Sequence, residues 1–301
     1  MHTGPFPWNP SAGTEADAEF ARIRPASAVK RITSRDNPFY RQLVKLGKSA
    51  RHRRAAGMAL LDGAHLVEAY RRALGAPHTL VVSASGRRHE EIAALLAACA
   101  EGGRTELYLL DDALFRQASP VDTPTGIMAL APIPPSNAIR VHPGMESCRV
   151  LLEAIQDPGN LGSILRSAAA TGAANIHLSA GCADAWSPRV LRAAMGAHFL
   201  LRIHEHADLI GVARQFEGRV VAATPAAATS LYRARLAGPV AFAFGNEGAG
   251  LSDGLLQAAT EHIHIPMLGD TESLNAAAAA AVCLFERLRQ TDPDPRQAAG
   301  T

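Results

Sequence analysis

The stretch LLEAIQDPGNLGSILRSAAATG, residues 151–172, decides the fold. The apolar run at residues 150–155 predicts a buried strand. Gln156-Asp157-Pro158-Gly159 stops it, because proline has no N–H for the ladder and glycine tolerates a sharp turn. Asn160 is a good N-cap, and Leu161, Ile164, Leu165, Ala168, Ala169 and Gly172 recur behind it at helical spacing. Strand, tight loop and helix in this order open a parallel-sheet unit, with Asn160 and Arg166 where such a sheet forms its ligand crevice. An ordinary strand-to-helix connection with a surface arginine has the same local pattern, so the flanking sequence must decide.

Downstream, the pattern predicts strands at 175–179, 199–204, 219–224, 240–245 and 262–267, with helices at 187–196, 207–216, 252–260 and 273–290. Most crossovers carry a helix, so the sheet is expected to be mainly parallel. Upstream, a basic helix opens at Asn37-Pro38 and runs to Lys48. Strands follow at 58–61, 79–83, 106–110 and 126–131, and helices at 65–74, 90–99 and 111–117, which describes a small α/β domain. The expected division is a leader at 1–28, an N-terminal domain at 29–131, a proline-rich linker at 132–146, a second domain at 147–291 and a polar tail at 292–301. Glu15, Asp17 and Glu19 in the leader weigh against a mitochondrial transit peptide.

The 301 residues suffice for two domains of ordinary size, and 48% are apolar. Net charge is only +2, yet between Arg22 and Arg72 thirteen Lys or Arg stand against three acids, Asp36, Asp62 and Glu68. Such a segment fits a phosphate backbone as partner, the blander reading being a solvated basic surface. Cys99, Cys148, Cys182 and Cys283 are far apart with no CxxC pair, which argues against zinc and disulfides and fits a reducing cytoplasm. No charged-then-apolar leader is present, and the apolar run at 276–285 is far short of the ~20 residues that span a bilayer. A soluble, cytoplasmic protein without a membrane partner is expected.

Two further stretches carry chemistry. In VAFAFGNEGAGLS, residues 240–252, a buried strand runs into Gly245-Asn246-Glu247-Gly248-Ala249-Gly250, with Ser252 or Asp253 capping the next helix. The glycines let backbone N–H groups approach a ligand, and Glu247 sits among them at a strand's carboxyl end. The loop is neither a P-loop nor a dinucleotide fingerprint, which excludes a nucleotide-binding dehydrogenase. In HIHIPMLGDTESLNAAAAAAVCLFERL, residues 262–288, Pro266 ends a strand and Ser273 is expected to cap a long helix. Leu274, Ala277, Ala278, Ala281, Leu284, Phe285 and Leu288 form its expected apolar face. The cluster His204-Glu205-His206 with Asp208 looks like metal-ligand material. Adjacent strand positions face opposite ways and the spacing is not HExxH, so no metal is expected.

Together the three stretches resemble the signature motifs of the SpoU (TrmH) family of RNA ribose methyltransferases, in the SPOUT superfamily. They are DPGNLGSILRSA at 157–168, FGNEGAGLS at 244–252 and IPMLGDTESLNAAAAA at 265–280. The resemblance covers the second domain. It extends more weakly into the first, where ITSRDNPFYRQLVKL (32–46) and TGIMALAP (125–132) are similar to the family's N-terminal RNA-binding domain. It implies an α/β fold whose mainly parallel C-terminal sheet carries a deep trefoil knot, S-adenosylmethionine as cofactor, no metal, and a homodimer whose site draws on both chains. By resemblance Thr224, Gly245, Ile265, Met267 and Leu274 hold the cofactor, and Asn160, Arg166, Glu247, Ser273 and Asn275 fall on catalytic motif positions.

Arg166 stands at the family's catalytic arginine, proposed to activate a ribose 2′-hydroxyl. A guanidinium stays protonated, so stabilising the developing alkoxide is the physically safer role. Glu247 is expected to grip that guanidinium by a bidentate pair, while Asn160, Ser273 and Asn275 orient ribose and loops. Alanines follow Ser273-Leu274-Asn275 where the family often continues with Val and Ser, and Asp62-Gly63 replaces the commoner Glu-Gly. The implied activity is 2′-O-methylation of RNA, with large-subunit ribosomal RNA ahead of transfer RNA. A non-catalytic RNA-binding or ribosome-assembly factor of the same fold is the rival, against which intact Asn160, Arg166, Glu247 and Asn275 argue.

Overall fold

The computed structural model describes residues 29–100, 105–139, 147–270 and 273–291. The expected leader 1–28, tail 292–301 and linker residues 140–146 lie outside the described residues. Contacts divide the chain into two compact units, Met1–Lys48 with Leu60–Pro132, and Ser49–Ala59 with Ile133–Thr301.

In the first unit, β1 (Lys30–Ile32) is followed by α1 (Pro38–Lys48), whose Tyr40, Leu43 and Leu46 are buried at helical spacing. Asn37 starts α1 by accepting from the Phe39 N–H at 2.9 Å. Then come α2 (Ala50–Ala56), β2 (Met58–Asp62), α3 (Ala64–Leu74), β3 (Thr79–Ser83), α4 (Glu90–Ala100), β4 (Glu106–Leu110), α5 (Asp112–Ala118) and β5 (Ile127–Pro132). The sheet order is β1-β4-β3-β5-β2, with β5 antiparallel to β3. Sequence patterning misses β1, a three-residue edge strand, and α2, whose ARHRRAA has no apolar stripe. Caps hold α2 instead: Ser49 accepts from the His52 N–H, and Gly57 closes it at φ 61°. It is counted with the second unit, where the buried Arg53 donates through Nε to Asp184 at 3.0 Å.

The second unit runs β6 (Cys148–Leu152), α6 (Pro158–Ala170), β7 (Asn175–Leu178), α7 (Pro188–Ala194), β8 (Arg202–His204), α8 (Leu209–Gln215), β9 (Arg219–Ala223), β10 (Thr229–Ser230), β11 (Val240–Phe244), α9 (Asp253–Ala258), β12 (Glu261–His264) and α10 (Ala276–Thr291). Seven strands lie in the order β10-β12-β9-β11-β6-β7-β8, and each pair runs parallel. This is the expected α/β fold with a parallel sheet. Central β11 is buried along its whole length, as an uninterrupted Val-Ala-Phe-Ala-Phe run requires when helices cover both faces. The path β6-α6-β7-α7-β8 winds outward and places α6 and α7 on one face; α8 reverses direction and, by right-handed crossover, lies on the other. There Leu209 and Ala213 of α8 and Leu255 of α9 join Leu151, Val220, Ala241 and Ala243 in one apolar cluster.

Several expected ends shift. The strand expected at 150–155 stops at Leu152, because Ala154 turns to φ 54°. The strand expected from Phe199 starts only at Arg202, since residues 197–200 form a 3₁₀ turn after left-handed Met195 and Gly196. Strand β12 ends at His264, leaving Ile265 and Met267 outside the sheet. Helix α10 begins at Ala276, three residues later than expected, and buries another face: Ala280, Cys283, Leu284, Glu286 and Arg287 face inward while Phe285 is 49% exposed. The burial of charge is compensated. Glu286 accepts from Arg289 and Gln290, and Arg287 donates to Ser147 and the Gly238 carbonyl.

Candidate active site

The site forms where β9, β11 and β12 end. Past Phe244 the chain enters Gly245–Gly250 and closes it as a small antiparallel bridge, Asn246 N–H to Gly250 carbonyl at 3.0 Å and the reverse at 2.9 Å. Gly245 has no substitute here, because a Cβ would stand 2.2 Å from the Gly250 carbonyl carbon. The Asn246 side chain locks the loop twice. Its Oδ1 accepts from the Gly248 and Ala249 N–H groups at 2.9 and 3.0 Å, and its Nδ2 donates to the Ala154 carbonyl at 2.9 Å. Glu153 takes the Ser252 N–H and hydroxyl at 2.7 and 2.8 Å, tying the first motif to the second. Sequence reading passed over Asn246 and Glu153. An Asn two residues before a Gly in a strand-to-helix loop is the Asx-turn signal that finds the first; Glu153 is recognisable only from its distant partner.

The capping pattern differs from the expected one in an informative way. Asp157, not Asn160, caps α6, accepting the Asn160 N–H at 2.7 Å with Pro158 in the first turn. The Asn160 side chain is therefore free, and its Nδ2 donates to Glu247 Oε1 at 2.8 Å. Its Oδ1 in turn accepts from Asn275 Nδ2, also at 2.8 Å. Asn275, not Ser273, caps α10, its Oδ1 accepting from the Ala277 N–H at 2.9 Å. One chain of hydrogen bonds, Asn275–Asn160–Glu247, thus joins the three motifs.

Beside this chain lies a cavity of about 380 Å³. Thr224, Gly245, Ile265, Met267 and Leu274 all line it, together with Glu247 and Ser273. The lining combines apolar side chains with the backbone of a glycine loop, which suits a ligand with a flat apolar ring and a polar end. Leu274, 40% exposed, stands at the cavity although a large aliphatic side chain favours burial.

Arg166 does not join this group. It is exposed on α6, lines no part of the cavity, and makes no hydrogen bond or ion pair among the described residues. The expected grip of Glu247 on its guanidinium is absent; Glu247 holds Asn160 instead. Helix geometry is the reason: six residues carry Arg166 about 9 Å along the axis and about 240° round it from Asn160. The cluster at His204 does not converge either. His204 stacks on His177, Glu205 accepts the Ala185 N–H and His206 contacts Arg54. Among the described residues no three His, Cys, Asp or Glu are grouped to hold a metal ion, and no helix is long and apolar enough to cross a membrane.

Comparison with known proteins bears on this geometry. The SpoU rRNA Methylase family model matches residues 147–285, and the MRM3-like substrate binding domain model matches residues 26–129. An uncharacterized tRNA/rRNA methyltransferase of Synechocystis is 33% identical over 268 residues, spanning 88% of this chain and 95% of its own. RlmP of Bacillus subtilis, a 23S rRNA (guanosine(2553)-2′-O)-methyltransferase, is 29% identical over 85% of this chain and 98% of its own. The AdoMet-bound rRNA methyltransferase of Sinorhizobium meliloti superposes with a TM-score of 0.74 at 29% identity, covering 88% of this chain and 99% of that one.

Proposed function

The chain belongs to the SpoU rRNA Methylase family, and we propose that it methylates a ribose 2′-hydroxyl of ribosomal RNA, large-subunit RNA ahead of transfer RNA. The observation that carries the reading is the Asn275–Asn160–Glu247 chain standing beside the cavity lined by all five expected cofactor residues. The cavity fits S-adenosylmethionine: Ile265, Met267 and Leu274 would take the adenine, and the glycine-loop backbone and Thr224 the polar parts. When bound, that cofactor supplies an electrophilic methyl group on a sulfonium.

The chain's own residues do the rest. Asn160 and Asn275 hold Glu247 and the start of α10 in one arrangement, so a ribose would meet a preorganised surface. Arg166 stabilises the oxygen that loses its proton, as a fixed cation rather than as a base. Because Arg166 stands outside its own cavity, we place it in the site of a second copy, within the homodimer that the family resemblance implies. Exposed Phe285 on α10 supports that pairing, since a large apolar side chain in water favours a covering surface. The trefoil knot belongs to the same proposal: loops 245–250 and 265–274 line one cavity although β9 separates β11 from β12. So does a cytoplasmic location, which four unpaired cysteines suit.

The test is transfer of labelled methyl from S-adenosylmethionine to purified ribosomal and transfer RNA, with ribose methylation read as resistance of the modified linkage to alkali. Label in ribosomal RNA alone is expected. Label in transfer RNA alone would move the substrate, and none in either would leave the non-catalytic RNA-binding reading.

A further inference from the structure

From the face of the seven-stranded sheet that α8 and α9 cover only in part, we infer that Arg149, His177, Arg202 and His204 form a phosphate-binding surface that takes backbone phosphates of the RNA substrate. The inference rests on the proposed RNA substrate but on none of the residues of the cofactor cavity. Parallel register sets Arg149 beside Asn175 and Asn175 beside Arg202 in one row, and Leu151 beside His177 and His177 beside His204 in the next. Residues two apart on a strand share a face, so all of these project to one side. Over β6, β11 and β9 that side is apolar and packed under α8 and α9. Over β7 and β8 it becomes basic, while Ile176 and Leu178 on the opposite side are buried.

The cations here lack anions. The Arg149 guanidinium lies 5.0 Å over the Phe216 ring; its Nε is buried without a hydrogen-bond partner, and no carboxylate pairs with it among the described residues. His177 is only 9% exposed, yet neither ring nitrogen has a hydrogen bond among the described residues; it stacks on His204 at 4.6 Å. From β8, Arg202 reaches over to the Ile139 carbonyl at 3.3 Å. No acid offsets them. Burial first, then His204 and Arg149, press the His177 imidazole down to about 4, and burial with Arg149 and Arg202 presses His204 down. Two arginines and two nearly buried imidazoles with no counter-charge form an anion site, and a phosphodiester oxygen accepts from all four. An anion seated there raises both imidazoles, so binding takes up protons and strengthens as pH falls.

The test uses the full chain, a ribosomal RNA fragment and a salt titration. Arg149→Gln is expected to make the log K against log salt slope less negative by about 0.7 to 0.9, the worth of one phosphate contact. The KM for RNA should rise severalfold, with kcat at saturating RNA and S-adenosylmethionine affinity unchanged. Arg149→Lys, which keeps the charge but not the stacking on Phe216, should retain the wild-type slope and separates a charge contact from a packing one. Inorganic phosphate should shift the ring-proton resonances of His177 and His204 and raise their titration midpoints. An unchanged slope in Arg149→Gln, with wild-type methylation intact, overturns the inference and leaves the function standing. A phosphate-shifted ring with an unchanged slope also overturns it, by assigning the surface to free phosphate. If the wild type neither binds nor methylates RNA, the proposed function falls first, and the RNA assignment of this surface falls with it.

Discussion

Asn160 owes its position to a neighbour. Had it capped α6, its side chain would be occupied by backbone N–H groups; Asp157 takes that task, and the Asn160 amide is left to donate to Glu247 and accept from Asn275. Arg166 is the opposite case, a cation exposed and unpaired among the described residues of its own chain. A guanidinium that does no structural work is removable without structural cost. Arg166→Ala is therefore expected to leave the melting temperature and S-adenosylmethionine affinity unchanged while lowering the single-turnover methylation rate by a factor on the order of 10² or more. Arg166→Lys should rescue little, because a point charge cannot reproduce a forked contact. Mixed dimers of Arg166→Ala with a cavity variant then test where the residue acts. If Arg166 serves the other copy's cavity, one wild-type site is rebuilt per mixed dimer; no recovery on mixing would return Arg166 to its own chain.

At the scale of elements, the loop after β11 is held by backbone closure rather than by side-chain packing. Gly245→Ala places a methyl 2.2 to 2.5 Å from the Gly250 carbonyl group and the Leu251 nitrogen, so residues 246–250 must move. Those residues line the cavity, and Asn246 also holds the turn at Ala154. Calorimetry should find S-adenosylmethionine affinity lower by about tenfold or more in Gly245→Ala, each tenfold being about 1.4 kcal/mol. Gly248→Ala is the control, since its Cβ would meet only the Asn246 Oδ1, at 3.6 Å. Equal affinity of the two variants would show that the loop tolerates displacement and that the cofactor does not depend on it.

For the molecule as a whole, buried neutral histidines set a pH dependence of stability. His198, fully buried, is pressed down to about 4 by burial, although its Nε2 donates to the Ala185 carbonyl at 2.7 Å. In the unfolded chain it titrates near 6.5, so between about 6.5 and 4 the unfolded state binds the extra proton. Stability is then full above 6.5 and falls with pH through this window by about 1.4 kcal/mol per unit for each such group, with His177 contributing in the same sense. Burial raises Glu205, which acts in the opposite sense, so the change on mutation is the cleaner readout. Urea unfolding at pH 7 and pH 5 should show a smaller loss for His198→Phe than for the wild type. An identical loss would mean that His198 is not protonated on unfolding in that range. The lowered carboxyls of Glu68, Glu106 and Glu286 lose their contribution only further down, below their ordinary range near 4.5.

Local chemistry determined much of this protein. Apolar runs announced the strands, proline and glycine their ends, and three ordered motifs the family, because each of these signals is written within a few consecutive residues. The cavity lining was legible in the same way, since Thr224, Gly245, Ile265, Met267 and Leu274 sit at the ends of recognisable strands and loops. What the tertiary structure alone decided was partnership. Asp157 and Ser252 cap their helices as short polar residues before a helix do, but whether Asn160 would cap or reach Glu247, eighty-seven positions away, depended on where two loops meet. The inward face of α10 was misjudged for the same reason: Arg287 reads as surface until Ser147 and the Gly238 carbonyl are beside it. The row of Arg149, Asn175 and Arg202 has no trace in any one segment, because strand register, not sequence spacing, brings those side chains to one face.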